Sequence, residues 1–551
     1  MLCQLIERLA TMGDSARPFC HAFSIAVYEK GDHFGPGLPH NEQNVLPLHI
    51  TNMCAQDMSV RADKPGEFHY WLLENVVSAT QRSADRCSSV STSDRYEQCC
   101  HYPRAMMGEY LKCQFAEAVS TAEILGVSVE RYPNSEVVDL YPGDECLYLI
   151  VDSIKEPSAK RKHRADAVLL ATGHWFEKSP RETYFSSPWP AAKLLDAIPQ
   201  SAAVAVMGSS LSAIETALTL SSEGQFLRKP SGELSFQPSH PSRKLTLYSR
   251  RGLLPRVRGR RGRRRNTYLT CKKISDLIEA HPYSIEISMI FDVFKREISA
   301  AYDTAVNWQN AMQPFNNAEQ LLRHDIMIAK GGDDHDGEMI WQTVLAEILP
   351  MARAIYLNLA PSERKRFDEE YTTTFFMHVA TQPLENAEKL LALIEAGVVA
   401  IVRLGDDYHF EYDERACEYL INYKDASGKN HHDRFNYVVN ATGQPRSIRS
   451  DPSPLTQNLI RRLMPQSGQN GETYPDHRSN ALHESLKIDP ESHLVVIPAA
   501  DDNASIGLPV FAVGPMVRGQ IIDTSMAYGL SRSTSQVADR LLKILAERGR
   551  C

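Results

Sequence analysis

Val204-Ala-Val-Met-Gly208-Ser209-Ser210-Leu211-Ser212-Ala213-Ile214-Glu215 reads as a buried strand that passes through a glycine turn straight into an amphipathic helix. Such a turn offers the unpaired N–H groups and positive dipole end of the helix to whatever lies above it, an arrangement that favours a bound pyrophosphate. The dinucleotide pattern G-x-G-x-x-G becomes G-x-S-x-x-A here, with the first glycine kept and small residues at the other two positions. An ordinary tight turn could give the same bare match, and it is the strand before and the helix after that point to a dinucleotide. Gly208, Ser209, Ser210 and Ser212 are therefore candidate cofactor-binding residues.

The next strand outward, Leu245-Thr-Leu-Tyr-Ser249-Arg250-Arg251-Gly252, ends where an NAD-binding unit carries Asp or Glu for the ribose 2′-hydroxyl. Ser249, Arg250 and Arg251 stand there instead, and a hydroxyl beside guanidinium groups suits a 2′-phosphate, so NADPH is expected over NADH. The basic run continues through Arg265, and for Arg256 onward a solvated loop, a nuclear-localisation signal or an RNA contact are open alternatives. Nucleic acid is not the expected partner, and the run 250–265 is the only hint of one.

Other short apolar runs recur along the chain at 24–30, 166–173, 437–443 and 509–514, which is how strands buried on both faces of a parallel sheet read. Alternation with helical patterns predicts an α/β fold of two Rossmann-like dinucleotide-binding domains. From about Ile274 to Gly397 the pattern turns helical: Pro350 should kink 340–359, and 384–397 ends on a capping glycine. The stretches 83–94 and 223–243, rich in Ser, Pro and Gly, read as surface loops. The expected division is an FAD-binding domain over 1–175 and 436–551, an NAD(P)H-binding domain over 176–273 and 398–435, and a helical insertion over 274–397.

The FAD site is marked by its periphery. SIAVYEK ends in Glu29, the acidic residue that would accept the adenosine ribose hydroxyls. A strand and glycine turn are expected upstream, yet MLCQLIERLA fits the later part of a first helix. The first strand of the FAD domain is thus expected to be missing, through an incorrect start site or a truncated isoform. Ala171-Thr172-Gly173 and Ala441-Thr442-Gly443 close two strands on either side of the NADPH unit, where small residues let backbone approach a cofactor. Gly514 and Asp523 lead into the last long helix, whose N-terminus could face the flavin.

Composition narrows the class. A length of 551 residues exceeds what one core serves, and a formal charge of -8 gives no reason for bulk attraction to nucleic acid or membranes. No apolar run approaches a membrane span, and Glu7 and Arg8 interrupt any signal-peptide pattern. The 11 cysteines form no CxxC pair and fit reduced thiols in a cytoplasmic protein. Without a thiol pair beside the flavin, disulfide-reductase chemistry is disfavoured.

In order, Gly35-Pro36-Gly37-Leu38-Pro39, Thr51-Asn52-Met53, Tyr102-Pro103-Arg104 with Gly108-Glu109-Tyr110-Leu111, Gly173-His174-Trp175, Ser186-Ser187-Pro188-Trp189-Pro190, the Gly208 turn, Ser249 to Pro255 and Val513-Gly514-Pro515 with Arg518-Gly519 span nearly the whole chain. In these the chain resembles a family of FAD/NAD(P)-binding flavoproteins with urate-hydroxylase-like and aspartate N-monooxygenase-like members, distantly related to N-hydroxylating monooxygenases. The resemblance implies that Gly35, Gly37, Leu38, Asn52 and Met53 lie along the FAD and that Arg104 serves its phosphates, a surface arginine at a helix start being the alternative. His40 departs from the tyrosine common after the GLP of relatives.

The resemblance further implies an FAD- and NADPH-dependent monooxygenase that hydroxylates a small molecule with oxygen through a flavin hydroperoxide. A non-catalytic or redox-sensing NADPH-binding protein that has lost FAD is the alternative. His174 and His378 are candidate proton-transfer residues, with a purely structural hydrogen-bonding role as the other reading for each. No metal ligand set is expected.

Overall fold

Every apolar run singled out above forms a parallel strand. The computed structural model describes residues 1–13, 20–21, 23–75, 100–155, 160–260, 262, 264–302, 306, 308, 317–332, 338–445, 447–463, 485–496 and 509–548. The expected loop 83–94 lies outside these residues.

In the first unit, β1 (Ser24–Tyr28) pairs in parallel with β2 (Ser128–Tyr132). An antiparallel meander follows, of β3 (Ser135–Pro142), β4 (Leu147–Ser153) and β5 (Arg161–Ala165). Next, β6 (Val168–Leu170) pairs in parallel with the late strand Val510–Ala512. Among the described residues the parallel strands of this unit stay in these two separate pairs. The helix Leu2–Thr11 has an apolar face of Leu5, Ile6 and Leu9 that packs on Ala118 and Ala122 of the helix Arg104–Leu125 and on Ala538 of the helix Ala527–Arg548. Gln4 Nε2, buried there, donates to Ser531 O and Thr534 Oγ1, both at 2.8 Å.

The second unit is a wholly parallel five-stranded sheet. It comprises β7 (Tyr184–Phe185), β8 (Ala203–Met207), β11 (Lys244–Ser249), β12 (Val399–Arg403) and β16 (Tyr437–Asn440), in the order β12-β11-β8-β16-β7. Val204, Val206, Leu245 and Leu247 are buried on one face of this sheet and Ala205 and Tyr248 on the other. The boundary expected at 435/436 moves, because β16 pairs in register with β8, Val438 opposite Ala205, and so belongs to this sheet. An antiparallel meander of β13 (His409–Asp413), β14 (Glu418–Lys424) and β15 (Asn430–Phe435) packs on it through Tyr419 and Ile421.

The stretch 223–243 is a hairpin in part: β9 (Gln225–Arg228) pairs with β10 (Leu234–Gln237). Its Ser, Pro and Gly content masked an alternation that sets Phe226 against Phe236, ring centroids 4.8 Å apart, over the sheet core. The insertion is helical as expected. Pro350 sits in a 3-10 turn between the helices Ile340–Ile348 and Ala352–Asn358, and Gly397 follows the helix Leu384–Glu395 at φ +66°. No helix among the described residues is long and apolar enough to cross a membrane.

Candidate functional site

The glycine turn after β8 does its work by close approach. Gly208 has φ +125°, and a Cβ there would stand 2.6 Å from Ala441 O and 3.2 Å from Thr442 N, so only glycine lets the turn lie against the second ATG strand end. Ser210 is the N-cap of the helix Leu211–Leu220 and makes no capping hydrogen bond with its side chain. The Ser212 carbonyl accepts from Thr216 Oγ1 at 2.7 Å. Ser209 Oγ donates to Ser249 Oγ at 2.7 Å, and Gly252 N donates to the same oxygen at 3.0 Å. That ties the phosphate turn to the end of β11. Arg250 and Arg251 are exposed there, Arg251 donating to Glu370 O at 3.2 Å.

The rest of the basic run turns inward. Arg256 makes a bidentate pair with the buried Asp325, at 2.6 and 2.7 Å, and Arg258 donates to Val379 O. Glu297, fully buried, accepts from the backbone of Thr267, Tyr268 and Leu269 at 2.9, 2.5 and 2.9 Å. Much of what reads as a charge run is therefore thread through the insertion, with Arg260 and Arg265 its exposed later members among the described residues.

The two units meet where both glycine-ended strands close, through Gln444. Gly173 and Gly443 have φ of +75° and +89°, and a Cβ on either would find nothing within 4 Å. Ala171 and Thr172 are exposed beside them, Ala441 is buried, and Thr442 Oγ1 donates to Asn440 Oδ1 at 2.7 Å. Gln444 is the knot: its Oε1 accepts from Trp175 N at 3.3 Å and its carbonyl from Arg518 Nη1 at 2.9 Å. Three distant segments thereby converge on one point. Gln444 Nε2, and in the first unit Asn52 Oδ1 and His40 Nδ1, are buried without a protein partner, whereas buried polar atoms are nearly always hydrogen-bonded.

Arg104 is not the surface arginine of the alternative reading. It is buried, and its Nε and Nη2 donate to Glu215 Oε1 at 2.8 and 2.7 Å, linking the first unit to the phosphate-turn helix. One turn along that helix, Thr219 Oγ1 lies 2.7 Å from His49 Nε2. Burial, with Arg518 and Arg104 adding, pushes His174 below the usual imidazole range, and burial with Arg104 pushes His40 down to about 3. His174 is thus held toward its neutral form by burial, with Arg518 and Arg104 acting in the same direction. His378 stands apart: it is buried in the insertion, stacked on Trp341 at 5.0 Å, and burial brings it down to about 3.

Other expected residues lie elsewhere in the first unit. Gly35 (φ +112°) and Gly108 pack the 35–40 loop onto the helix Arg104–Leu125, because a Cβ would meet Leu111 O at 2.8 Å and His40 O at 2.1 Å respectively. Gly37 has φ +60°, Leu38 O accepts from Asn44, and Met53 O accepts from Thr51 Oγ1 at 3.0 Å. Glu29 Oε1 accepts from Gly31 N at 2.7 Å at the end of β1. Gly514 has φ +75°, while Asp523 is held by the buried Arg353 at 2.7 and 3.0 Å. Cys54 is disulfide-bonded, contrary to reduced thiols throughout, and its partner lies outside the described residues. No metal-holding group of side chains occurs among the described residues.

Sequence reasoning missed Glu215, Thr219, Arg353 and Gln444. Glu215 and Thr219 had a visible signal, since a carboxylate and a hydroxyl four residues apart interrupt an otherwise apolar helix on one face. Arg353 had none, because its partner is remote in sequence.

The open glycine edges and the orphaned polar atoms fit an extended dinucleotide. Residues 3–175 match the protein family described as FAD-NAD(P)-binding. Over 486 residues, 82% of this chain and 84% of the other, the sequence is 24% identical to the uncharacterized protein YdhS of Escherichia coli. Among solved structures the chain is similar to the reduced form of ornithine hydroxylase (PvdA) from Pseudomonas aeruginosa, at 12% identity and a TM-score of 0.47, covering 98% of this chain and 96% of that one. It is also similar to L-lysine 6-monooxygenase from Pseudomonas syringae, at 14% identity and a TM-score of 0.44, covering 99% and 96%.

Proposed function

We propose that this chain, whose residues 3–175 match an FAD-NAD(P)-binding domain, is an oxidoreductase that binds FAD and NADPH and uses them with oxygen to hydroxylate a small molecule. The observation that carries the reading is the convergence at Gln444, where both glycine-ended crossovers and the segment before the last helix meet beside the phosphate turn. Two cofactors brought to such a junction would lie close enough for hydride transfer, which depends on proximity and orientation.

In this reading Gly208, Ser209, Ser210 and Ser212 hold the NADPH pyrophosphate, and Arg250 with Arg251 takes its 2′-phosphate. Glu29, the 35–38 loop, Asn52 and Met53 line the flavin nucleotide, and Gly173 and Gly514 leave room for its backbone-close passage. Bound FAD would supply the redox chemistry, accepting hydride and passing electrons to oxygen. The protein's own part is positional. His174 stays neutral between two arginines and offers a hydrogen bond without a competing charge.

The test is to titrate the purified chain with FAD and with NADPH, then follow NADPH oxidation together with oxygen uptake. FAD-dependent oxidation that consumes oxygen supports the reading. NADPH binding with no FAD retained would replace it by the non-catalytic NADPH-binding alternative, and binding of neither would end both.

A further inference from the structure

The helices Ile287–Tyr302, Ile340–Ile348 and Thr372–Val379 of the insertion line a half-open pocket of about 180 Å³. Its wall is carbon: Phe291, Phe294, Trp341, Leu345, Ile348 and Phe375 are representative, and no Asp, Glu, Lys or Arg lines it among the described residues. A small core gap would collapse or be filled by a side chain, since interiors pack like molecular crystals. An apolar space of this size has room for a ring-sized molecule, as an engineered cavity of about 150 Å³ takes benzene.

Two further observations mark it as built for a ligand. Phe367–Tyr371 is a π-helical turn, and both its end residues line the cavity, a local widening of helix that occurs mostly at functional sites. The cavity also reaches the first unit. Ile522 lines it, the neighbouring Asp523 is gripped by Arg353, and Tyr356 on the wall donates to Asp368 at 3.1 Å and to Gly519 O at 3.3 Å. One wall is therefore the segment that precedes the last helix, downstream of the Arg518 that binds Gln444. His378 is the one imidazole on the wall, and burial keeps it neutral at physiological pH.

We propose that this cavity binds an uncharged apolar molecule of one or two rings, carrying at most one hydrogen-bonding group for His378. That this molecule is the one hydroxylated rests on the flavoenzyme reading above. Doubly charged amino acids are excluded by the same wall, because an ammonium or carboxylate would be stripped of water with no partner.

Calorimetric titration of the full chain with indole and, separately, with L-lysine tests it. Indole should bind one to one and lysine should not. Leu345→Trp, which fills the space, should weaken indole binding by at least about tenfold, with Leu345→Phe an intermediate loss, while NADPH binding is unchanged. No indole binding by a chain that binds NADPH overturns the proposal, as does equal indole affinity in both variants or competition by lysine. The two readings separate cleanly. Indole binding without indole-dependent NADPH oxidation keeps the ligand site and removes its catalytic assignment, whereas NADPH oxidation without indole binding removes the ligand site alone.

Discussion

Replacing Arg104 by Met should destabilise the protein far more than it weakens FAD binding. The guanidinium and the Glu215 carboxylate are 10% and 4% exposed, so neither is appreciably solvated once its partner is gone. Truncating one member of a buried pair costs about 3–5 kcal/mol, mostly the penalty of the stranded charge. At about 2–4 °C per kcal/mol for a unit of this size, the apparent Tm should fall by about 6–20 °C. Glu215→Met should cost a similar amount for the mirror reason, leaving the Arg104 charge buried.

The double variant Arg104→Met, Glu215→Met removes both charges and should recover most of the loss, because replacing a buried pair by apolar groups of like volume is often near neutral. Thermal unfolding followed by tryptophan fluorescence on the four proteins measures this coupling, with FAD affinity measured in parallel. Independent losses that simply add would refute the pair as an inter-unit staple. So would an Arg104→Met protein of unchanged Tm that binds FAD poorly while Glu215→Met binds it normally, which is the signature of an arginine that serves a phosphate.

Gly208→Ala should impair NADPH binding and cost about 1–3 kcal/mol of stability, since φ +125° is costly for alanine and its methyl would meet Ala441 O; Tm and NADPH affinity check both. Arg250→Ser with Arg251→Ser should weaken NADPH by about 10²- to 10⁴-fold and leave NADH unchanged, as charge-assisted bonds to a phosphate are worth about 1.5–3 kcal/mol each; equal losses for both nucleotides would move the 2′-phosphate elsewhere. Burial holds His101, bonded to Thr51 O at 2.8 Å, down at about 4. Its folded-state pKa lies below the unfolded value, so its contribution is complete above about pH 6.5 and is lost as pH falls toward 4. Denaturant midpoints between pH 7 and 4 should therefore fall less steeply for His101→Gln, and an unchanged slope would refute this.

The parallel strands were legible from their short apolar runs: Val204 to Val206 do not alternate in and out, and all three are buried. The glycine turn was legible from its local pattern, a strand and helix joined by Gly208. Assigning β16 to the second unit was not legible, since Val438 and Val439 would be equally apolar in either sheet and only the pairing with β8 decides. The hairpin at 225–237 was hidden by composition, which reports turns well and short alternating strands poorly. Most instructive is the basic run. Arg256 reads as a surface charge until Asp325, brought close only by the fold, takes it inward. Burial of a charge depends on a partner, and a partner remote in sequence leaves no local trace.

The insertion consequently has a mechanical role that its place in the chain conceals. It interrupts the second unit, and Arg256 and Gln382 fasten it there, the Gln382 amide donating to Pro255 O at 2.7 Å. Yet Arg353, from its middle, makes its buried bonds to Asp523, Gly529 O and Ser533 in the first unit's closing helix and the segment before it. With Arg104 and Glu215 forming a second tie, the two units are held by separate buried ion pairs on different elements. Each pair is costly to pull apart singly, because opening strands two charges away from water. Relative movement of the units that opens both ties must therefore separate two buried ion pairs, which resist it more than a single polar contact would.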